Sequence, residues 1–524
     1  MATHVLNVDL AKVWARDANG DRRYLSTVAW GDPVQVAEIT DAHVRIKTAG
    51  FEEQADGSVK WTFLDGFIEP PAASDLAPAD CVIETPASRV MKVDFVDVQQ
   101  GDGAVVETPS GKVLLIDGGV NQLFARYLAG RFRSTSLDKP RRIDAIVVTH
   151  GDADHFRGLT EIHASEAGST SYKRLFIQPE RVFHNGLVKR PSKVDGRSVK
   201  ETEMLGATTM IDGRPVITEL VDDLTAVPDE EMNEPFREWK QAVLAYGQRG
   251  PVKMQRLEMG DDDAFDFLGD DGLDVNVLGP IPVTVDGAPG LPFLGTPKTD
   301  EEFGGQPVRP DRFTGNSASH TINGHSVVLK MTYGRARFLF TGDLNEQAGE
   351  TLTEQHNEGR ASLRAEVFKA PHHGSADFSV PLLRAVAPVV SVVSSGDESA
   401  QQEYIHPRAT LVGSLGKYSR PGLEQPLIFV TEMVAFFETE GWVRPEFHEL
   451  EQGVAVVEEG AAVVDPDAEP SFFAFSRAAF GIVKIRTDGD RLLVWTNSGQ
   501  TALKETYAFD LSGRTPVRSP LRRA

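Results

Sequence analysis

Thr149-His150-Gly151-Asp152-Ala153-Asp154-His155 puts four potential metal ligands within six residues. Upstream, Ile143-Asp144-Ala145-Ile146-Val147-Val148 is apolar and β-branched and predicts a buried strand. Downstream, Phe156 to Ile162 opens a helix. The ligands therefore fall where a strand ends and a helix begins, and in layered α/β folds that crevice is where sites are built. Imidazole nitrogen and carboxylate oxygen both suit divalent first-row metals. A lone His-Asp pair on a loop is ordinarily a solvated turn. Two His and two Asp directly after an apolar strand are not accounted for that way.

Further blocks lie on either side. Met91 to Val98 alternates as a strand, and Gly101-Asp102-Gly103 turns the chain. Ala104 to Thr108 and Lys112 to Ile116 form a hairpin around Pro109-Ser110-Gly111, and Asp117-Gly118-Gly119 ends the second strand. Asn323-Gly324-His325-Ser326-Val327-Val328-Leu329 leads into two strands around Tyr333-Gly334. The second of them delivers Asp343 at its end, in Phe340-Thr341-Gly342-Asp343. Val367-Phe368-Lys369-Ala370-Pro371-His372-His373-Gly374-Ser375 runs from a strand into a turn. Pro388 to Ser394 is another buried strand, followed by Ser395-Gly396-Asp397 and then Tyr404-Ile405-His406-Pro407.

These blocks, in this order, resemble the metallo-β-lactamase superfamily, and within it the metallohydrolase domain of ComEC-type DNA-uptake proteins. The superfamily pattern H-x-H-x-D-H becomes H-x-D-x-D-H here, with Asp152 in the second ligand position. The resemblance covers about Met91 to Pro407, apart from a long insertion at 160–310. It implies a four-layer αββα sandwich with two mixed sheets face to face, helices outside and the site at one edge. It also implies two divalent ions, Zn²⁺ or Mn²⁺. His150, Asp152 and Asp343 would hold one; Asp154, His155, Asp343 and a His of the 372–373 pair would hold the other. His373 is favoured as the ligand, with His372 facing the substrate oxygen or leaving group. Asp117 matches an Asp that orients a ligating His or the turn by hydrogen bonding. Many relatives carry a further ligand His before Asp343. Here His320 and His325 are both candidates, with Asn323 or Asp152 as substitutes. His406 would donate a proton to the leaving oxygen or contact phosphate, or would simply cap the following helix. Lys369 would help hold phosphate, or is a strand-end surface lysine.

Composition sets the frame. The chain has 524 residues, enough for roughly two to four domains. No apolar run reaches the length of a membrane span, and Met1 to Leu10 lacks the pattern of a signal peptide. A single cysteine, Cys81, excludes an intrachain disulfide framework. These features predict a soluble, cytoplasmic protein with no membrane partner. The net charge of −23 argues against broad, sequence-independent nucleic-acid binding, which draws its affinity from a basic face.

The expected organisation is an SH3-like β module at 1–80, a linker at 81–90, the hydrolase domain at 91–425 and a β-rich extension at 426–524. Trp30, the Gly31-Asp32-Pro33 turn and the short strands around them carry the weak SH3-like resemblance. Such a module offers a surface for a protein partner, or is a packing appendage. Within the insertion, Phe236, Trp239, Val243, Leu244 and Tyr246 recur at helical spacing and predict core. Asp261-Asp262-Asp263 and Asp270-Asp271 lack calcium-loop spacing and predict acidic turns. Ile281 to Arg312 is rich in Pro and Gly and is a candidate flap. Beyond 425, Leu427 to Val430 and Met433 to Phe437 are short apolar runs, Asp465 to Pro470 is an acidic linker, and Gly481 to Trp495 is a hairpin turning at Asp488-Gly489.

The function expected from the ligand set is a dinuclear-metal-dependent hydrolase, a phosphodiesterase or nuclease whose nucleophile is water activated between two ions. Its substrate would be nucleic acid, a nucleotide or a phospholipid head group. The acidic charge favours a small or locally bound phosphodiester. A hydrolase of a lactone, lactam or thioester is the second reading, and a binding or effector module of a multi-protein system is the third.

Overall fold

The computed structural model describes residues 4–16, 19–53, 59–71, 74–85, 88–297, 313–396, 406–432, 446–450, 453–456, 471–472, 481–497 and 505–524. Asp397, Tyr404, Ile405, Met433 to Phe437, Asp465 to Pro470, Ala72, Ala73, Pro86 and the part of the candidate flap at 298–312 lie outside the described residues.

The fold is a mixed α/β arrangement around two large sheets. The first has ten strands, in the order Lys253–Arg256, Arg181–His184, Ala145–Val147, Val113–Asp117, Gly103–Glu107, Met91–Phe95, Ile482–Thr487, Arg491–Asn497, Thr506–Asp510 and Val517–Ser519. The second has six, in the order Leu273–Gly279, Val328–Tyr333, Ala336–Phe340, Val367–Lys369, Val390–Val393 and Leu427–Val430.

Period-two alternation within each strand sends successive side chains to opposite faces. Leu114 and Ile116 share one buried cluster with Val93, Phe95 and Val147 of the first sheet and with Val275, Leu329, Phe338 and Phe340 of the second. Phe95 and Phe340 stack across it with ring centroids 5.7 Å apart. Val113 and Leu115 point the other way, onto Phe124 and Leu128 of the helix Leu123–Arg131 and onto Phe156 and Leu159 of the helix Ala153–Ser165. Leu339, Phe368 and Val393 of the second sheet meet Leu352, Leu382 and Leu411, which belong to the helices Glu346–Asn357, Val380–Val386 and Ala409–Lys417.

Among the described residues beyond 425, Leu427–Val430 and the strands from Ile482 onward belong to the two large sheets rather than to an extension, which corrects the expected boundary there. Leu427–Val430 pairs in parallel with Val390–Val393 and completes the second sheet. Ile482–Thr487 pairs antiparallel with Met91–Phe95, with Val483 opposite Phe95 and Ile485 opposite Val93. The physical reason is burial. Val483, Ile485, Leu492 and Val494 form part of the core between the sheets. The Arg486 guanidinium, 1% exposed, donates to Asp94 Oδ1 at 2.8 Å. Burial disfavours charge on Asp94, but Lys484, Arg486 and Arg131 outweigh it and hold the carboxyl well below its usual range. The hairpin turns at Asp488-Gly489 and docks on the Tyr333-Gly334 turn through Arg335 N–H donating to Gly489 O at 2.7 Å.

The N-terminal strands form an antiparallel seven-stranded sheet. Its last strand is Val82–Glu84, paired with His4–Leu6, so 82–84 belongs to this sheet rather than to a linker. Cys81 is fully buried in its core. Leu10, Ala29 and Trp30 pack with Leu493, Trp495 and Ala508 of the ten-stranded sheet. Buried Asp9 accepts from Arg491 Nη2 at 2.7 Å.

The insertion contributes two strands to the first sheet. It also supplies the helix Glu234–Gly247, whose Phe236, Trp239, Val243 and Tyr246 are buried while Leu244 is exposed. Asn233 caps this helix through Phe236 N–H. The expected acidic turns are instead one 3-10 helix, Asp262–Asp271, in which Asp262 accepts from Val277 N–H at 2.8 Å and Asp271 pairs with Lys112 at 2.9 Å. Among the described residues, no helix is long and apolar enough to cross a membrane.

Candidate metal centre

Loops at the ends of both sheets converge on one buried cluster. Asp102, His155, Asp343 and His373 each offer a ligand atom, and these atoms lie within 4.8 Å of one another. Asp117 ends its strand with φ of 57°. Its Oδ1 accepts from Thr149 N–H at 2.8 Å, and its Oδ2 accepts from the Thr149 hydroxyl at 2.7 Å. The same Oδ2 lies 2.9 Å from His155 Nδ1. With the proton on Nδ1, His155 turns the Nε2 lone pair inward, where it lies 3.3 Å from Asp343 Oδ1.

His373 is oriented in a parallel way. Its Nδ1 is 3.2 Å from Ser394 O and 3.3 Å from Asp102 Oδ1. Its Nε2 is 2.9 Å from Asp343 Oδ2 and 3.5 Å from Asp154 Oδ2. The two inward-facing Nε2 atoms are 3.2 Å apart. His372 and His373 both have φ of 49°, the left-handed region that costs a non-glycine residue on the order of 1–3 kcal/mol. The strand and turn flanking them hold that conformation.

Gly101 shows how closely the loops meet. A Cβ there would lie 1.8 Å from Asp154 O, so no side chain fits between the Asp102 turn and the helix bearing Asp154 and His155.

Carboxylates dominate the electrostatics around the two imidazoles. Burial disfavours charge on His155, but the carboxylates of Asp343 and Asp117 outweigh it and hold the imidazole well above its usual pKa. Burial is likewise overcome on His373 by Asp343 and Asp102. Asp343 is held well below the carboxylate range, burial being outweighed by His373 and His155. Its Oδ1 has no hydrogen-bond donor although it is buried. A buried carboxylate with one oxygen lacking a donor, its Oδ1 3.3 Å from His155 Nε2 and its Oδ2 2.9 Å from His373 Nε2, fits a divalent metal. His155, His373 and Asp343 would hold it, with Asp154 Oδ2 3.5 Å from His373 Nε2.

Other predicted residues stand elsewhere. His150 lies beside His155, ring centroids 4.0 Å apart, with Nδ1 3.2 Å from the Thr149 hydroxyl and 3.3 Å from that of Ser326. Burial pushes its pKa well down, so it is a neutral imidazole. Asp152 is not brought into the cluster: its Oδ1 accepts from Lys189 Nζ at 2.6 Å. His372 is at the rim, Nε2 4.0 Å from Asp343 Oδ2. His325 is turned away, with Nε2 2.8 Å from Pro292 O, and burial lowers its pKa to about 4. His320 is outside the cluster too, on the helix Ala318–Gly324.

One expected role is corrected. Lys369, 3% exposed, donates to Gly342 O at 2.9 Å and forms a close ion pair with Asp102. It braces the turns behind the cluster and is not available to a phosphate. His406 sits 6.2 Å, ring to ring, from His372. Burial, then His373 and His372, push its pKa down to about 3.

The sequence reading missed Asp102 and Lys189. Asp102 stood in a Gly-Asp-Gly that reads as a plain turn; it lies directly before the buried strand Gly103–Glu107, which pairs with the strand ending in Asp117. Lys189 comes from the insertion and has no local signal.

Residues 96–166 match the metallo-beta-lactamase superfamily, a span that contains Asp102, Asp117, His150, Asp154 and His155. Residues 96–166 are thus similar to the metallo-β-lactamase superfamily, whose members are generally hydrolases. Over 86 residues it is 38% identical to Competence protein ComA of Neisseria gonorrhoeae. That match covers 16% of this chain and 12% of the relative, so the chain matches only a small part of the relative's length.

Proposed function

We propose that this protein is a metal-dependent hydrolase of phosphodiesters, with nucleic acid, a nucleotide or a phospholipid head group as the substrate class. The observation that carries the reading is the buried convergence of His155, His373 and Asp343, two imidazole Nε2 atoms 3.2 Å apart, one 3.3 Å from Asp343 Oδ1 and the other 2.9 Å from Oδ2. A divalent cation there supplies Lewis acidity, acidifying water and offsetting charge that develops on the attacked centre.

The remaining work falls to the chain itself. Asp117 fixes the His155 tautomer, and Asp102 with Ser394 O fixes that of His373. Lys369 holds the Gly342 turn that carries Asp343. His372 stands at the rim, where a substrate oxygen would be met. A carboxylate-rich donor set suits Mn²⁺ as well as Zn²⁺, and an anionic phosphodiester better than a neutral amide. Resemblance to the hydrolase domain of DNA-uptake proteins supports the same substrate class.

The two sheets with helices on their outer faces are read as the four-layer αββα sandwich. The N-terminal sheet is read as an SH3-like module and a surface for a protein partner. A cytoplasmic location accords with the single reduced thiol.

The test is hydrolysis of bis(p-nitrophenyl) phosphate with Mn²⁺ or Zn²⁺, against a variant carrying Asp154→Ala and His155→Ala. Metal-dependent turnover absent from the variant supports the reading. Metal-loaded protein that leaves the diester intact but cleaves a lactone or thioester replaces it with the second reading. Metal-loaded protein inert on all of them leaves the binding module.

A further inference from the structure

Asp152 stands in the second ligand position of the sequence motif, yet both of its oxygens are taken by protein donors. Oδ1 accepts from the Lys189 ammonium at 2.6 Å. Hydrogen bonding sets the Asn323 amide with its nitrogen 2.9 Å from Asp152 Oδ2 and 3.2 Å from Ser319 O. The Lys189 and Asp152 side chains are only 26% and 19% exposed, so solvent screens the pair weakly.

An ion bound to Asp152 would sit about 2.0–2.2 Å from a carboxylate oxygen. It would then lie within a few ångströms of the ammonium and share its acceptor. The rest of this half-site is thin. His150 offers Nε2, since Nδ1 faces two hydroxyls, and Asp343 is shared with the main cluster. His325 is committed to Pro292 O. Among the described residues, the group of three or more His, Cys, Asp or Glu ligand atoms is the Asp102–His155–Asp343–His373 cluster, which contains neither His150 nor Asp152.

We infer that the Lys189 ammonium is a built-in cation at the Asp152 half-site, so that the centre takes one divalent ion instead of two. The insertion supplies this charge, which gives it a role in the site as well as in the sheet. The inference rests on the metal-centre reading for the presence of one ion, and its test is stoichiometric, independent of turnover.

The experiment is equilibrium dialysis of the full chain against buffered free Zn²⁺, and separately Mn²⁺, with bound metal counted per chain by elemental mass spectrometry. Wild type, Lys189→Met and Lys189→Arg are compared, with thermal melting to show that each is folded. The expected result is one ion for wild type and for Lys189→Arg, which keeps the charge, and a second ion for Lys189→Met, bound at least tenfold more tightly than any second ion in wild type. Two ions in wild type at the same free metal concentration overturn the inference and leave the hydrolase reading standing. So does Lys189→Met binding one ion as wild type does. No ion in any of the three overturns the metal centre itself.

Discussion

Replacing Asp117 should separate what it does for stability from what it does for metal binding. Three buried donors converge on this carboxylate: Thr149 N–H at 2.8 Å, the Thr149 hydroxyl at 2.7 Å and His155 Nδ1 at 2.9 Å. In Asp117→Ala the hydroxyl can turn to His150 Nδ1, 3.2 Å away. The other two donors are left unpaired, at about 1–3 kcal/mol each. Some of that loss is returned, because the carboxyl is itself buried and its pKa is raised by burial. The net expectation is a destabilisation of about 2–4 kcal/mol. Asp117→Asn keeps an acceptor for Thr149 N–H but presents an N–H to His155 Nδ1. The imidazole must then carry its proton on Nε2, the atom that faces the ion. Metal affinity should therefore fall by about 10–100-fold, with a smaller stability loss than in the Ala variant. Urea unfolding of the metal-free proteins gives the first quantity, and chelator competition gives the second. An Asn variant within about twofold of wild-type metal affinity would refute the claim that Asp117 acts by setting the tautomer.

Further predictions come from other parts of the fold. Glu107 is paired with Lys92 and Arg131 at 2.9 Å each, and although burial raises its pKa these partners lower it from 4.5 to about 2. Its folded pKa is depressed, so its contribution, at most about 3 kcal/mol, is present above pH 4.5 and is lost as pH falls toward 2. Unfolding midpoints at pH 7 and pH 3 should differ less in Glu107→Gln than in wild type, and equal differences would count against the pairing. Burial, reinforced by Asp80, pushes the Cys81 thiol up to about 11. Native protein should resist iodoacetamide at pH 8 and react once unfolded in urea; rapid native alkylation would contradict the burial. Deleting residues 426–524 should abolish the cooperative thermal transition, because Ile482–Thr487 pairs with Met91–Phe95. A truncated chain that melts sharply and still binds metal would show that the first sheet closes without it.

What the sequence revealed follows from range. Ligand blocks at strand ends are local patterns, and His150, Asp154, His155, Asp343 and His373 could each be picked out from a few neighbours. The choice between His372 and His373 needed the left-handed turn, which sends the two side chains different ways. Asp102 was hidden because Gly-Asp-Gly is also an ordinary turn, and only its approach to Lys369 and His373 distinguishes it. Lys369 misled because a lysine beside a His-His-Gly turn suggests phosphate, whereas its ammonium points into the protein. The Lys189–Asp152 pair spans 37 residues and the Arg486–Asp94 pair spans 392. No periodicity in either segment encodes such partners, so the C-terminal strands looked like an appendage.

The most direct test of the metal centre is anomalous diffraction at the zinc edge from crystals of the Zn²⁺-loaded protein. The account predicts one peak about 2.0–2.2 Å from His155 Nε2, His373 Nε2 and an Asp343 oxygen, and none against Asp152. No peak in the cluster, or a peak held by His150 and Asp152 alone, would contradict it.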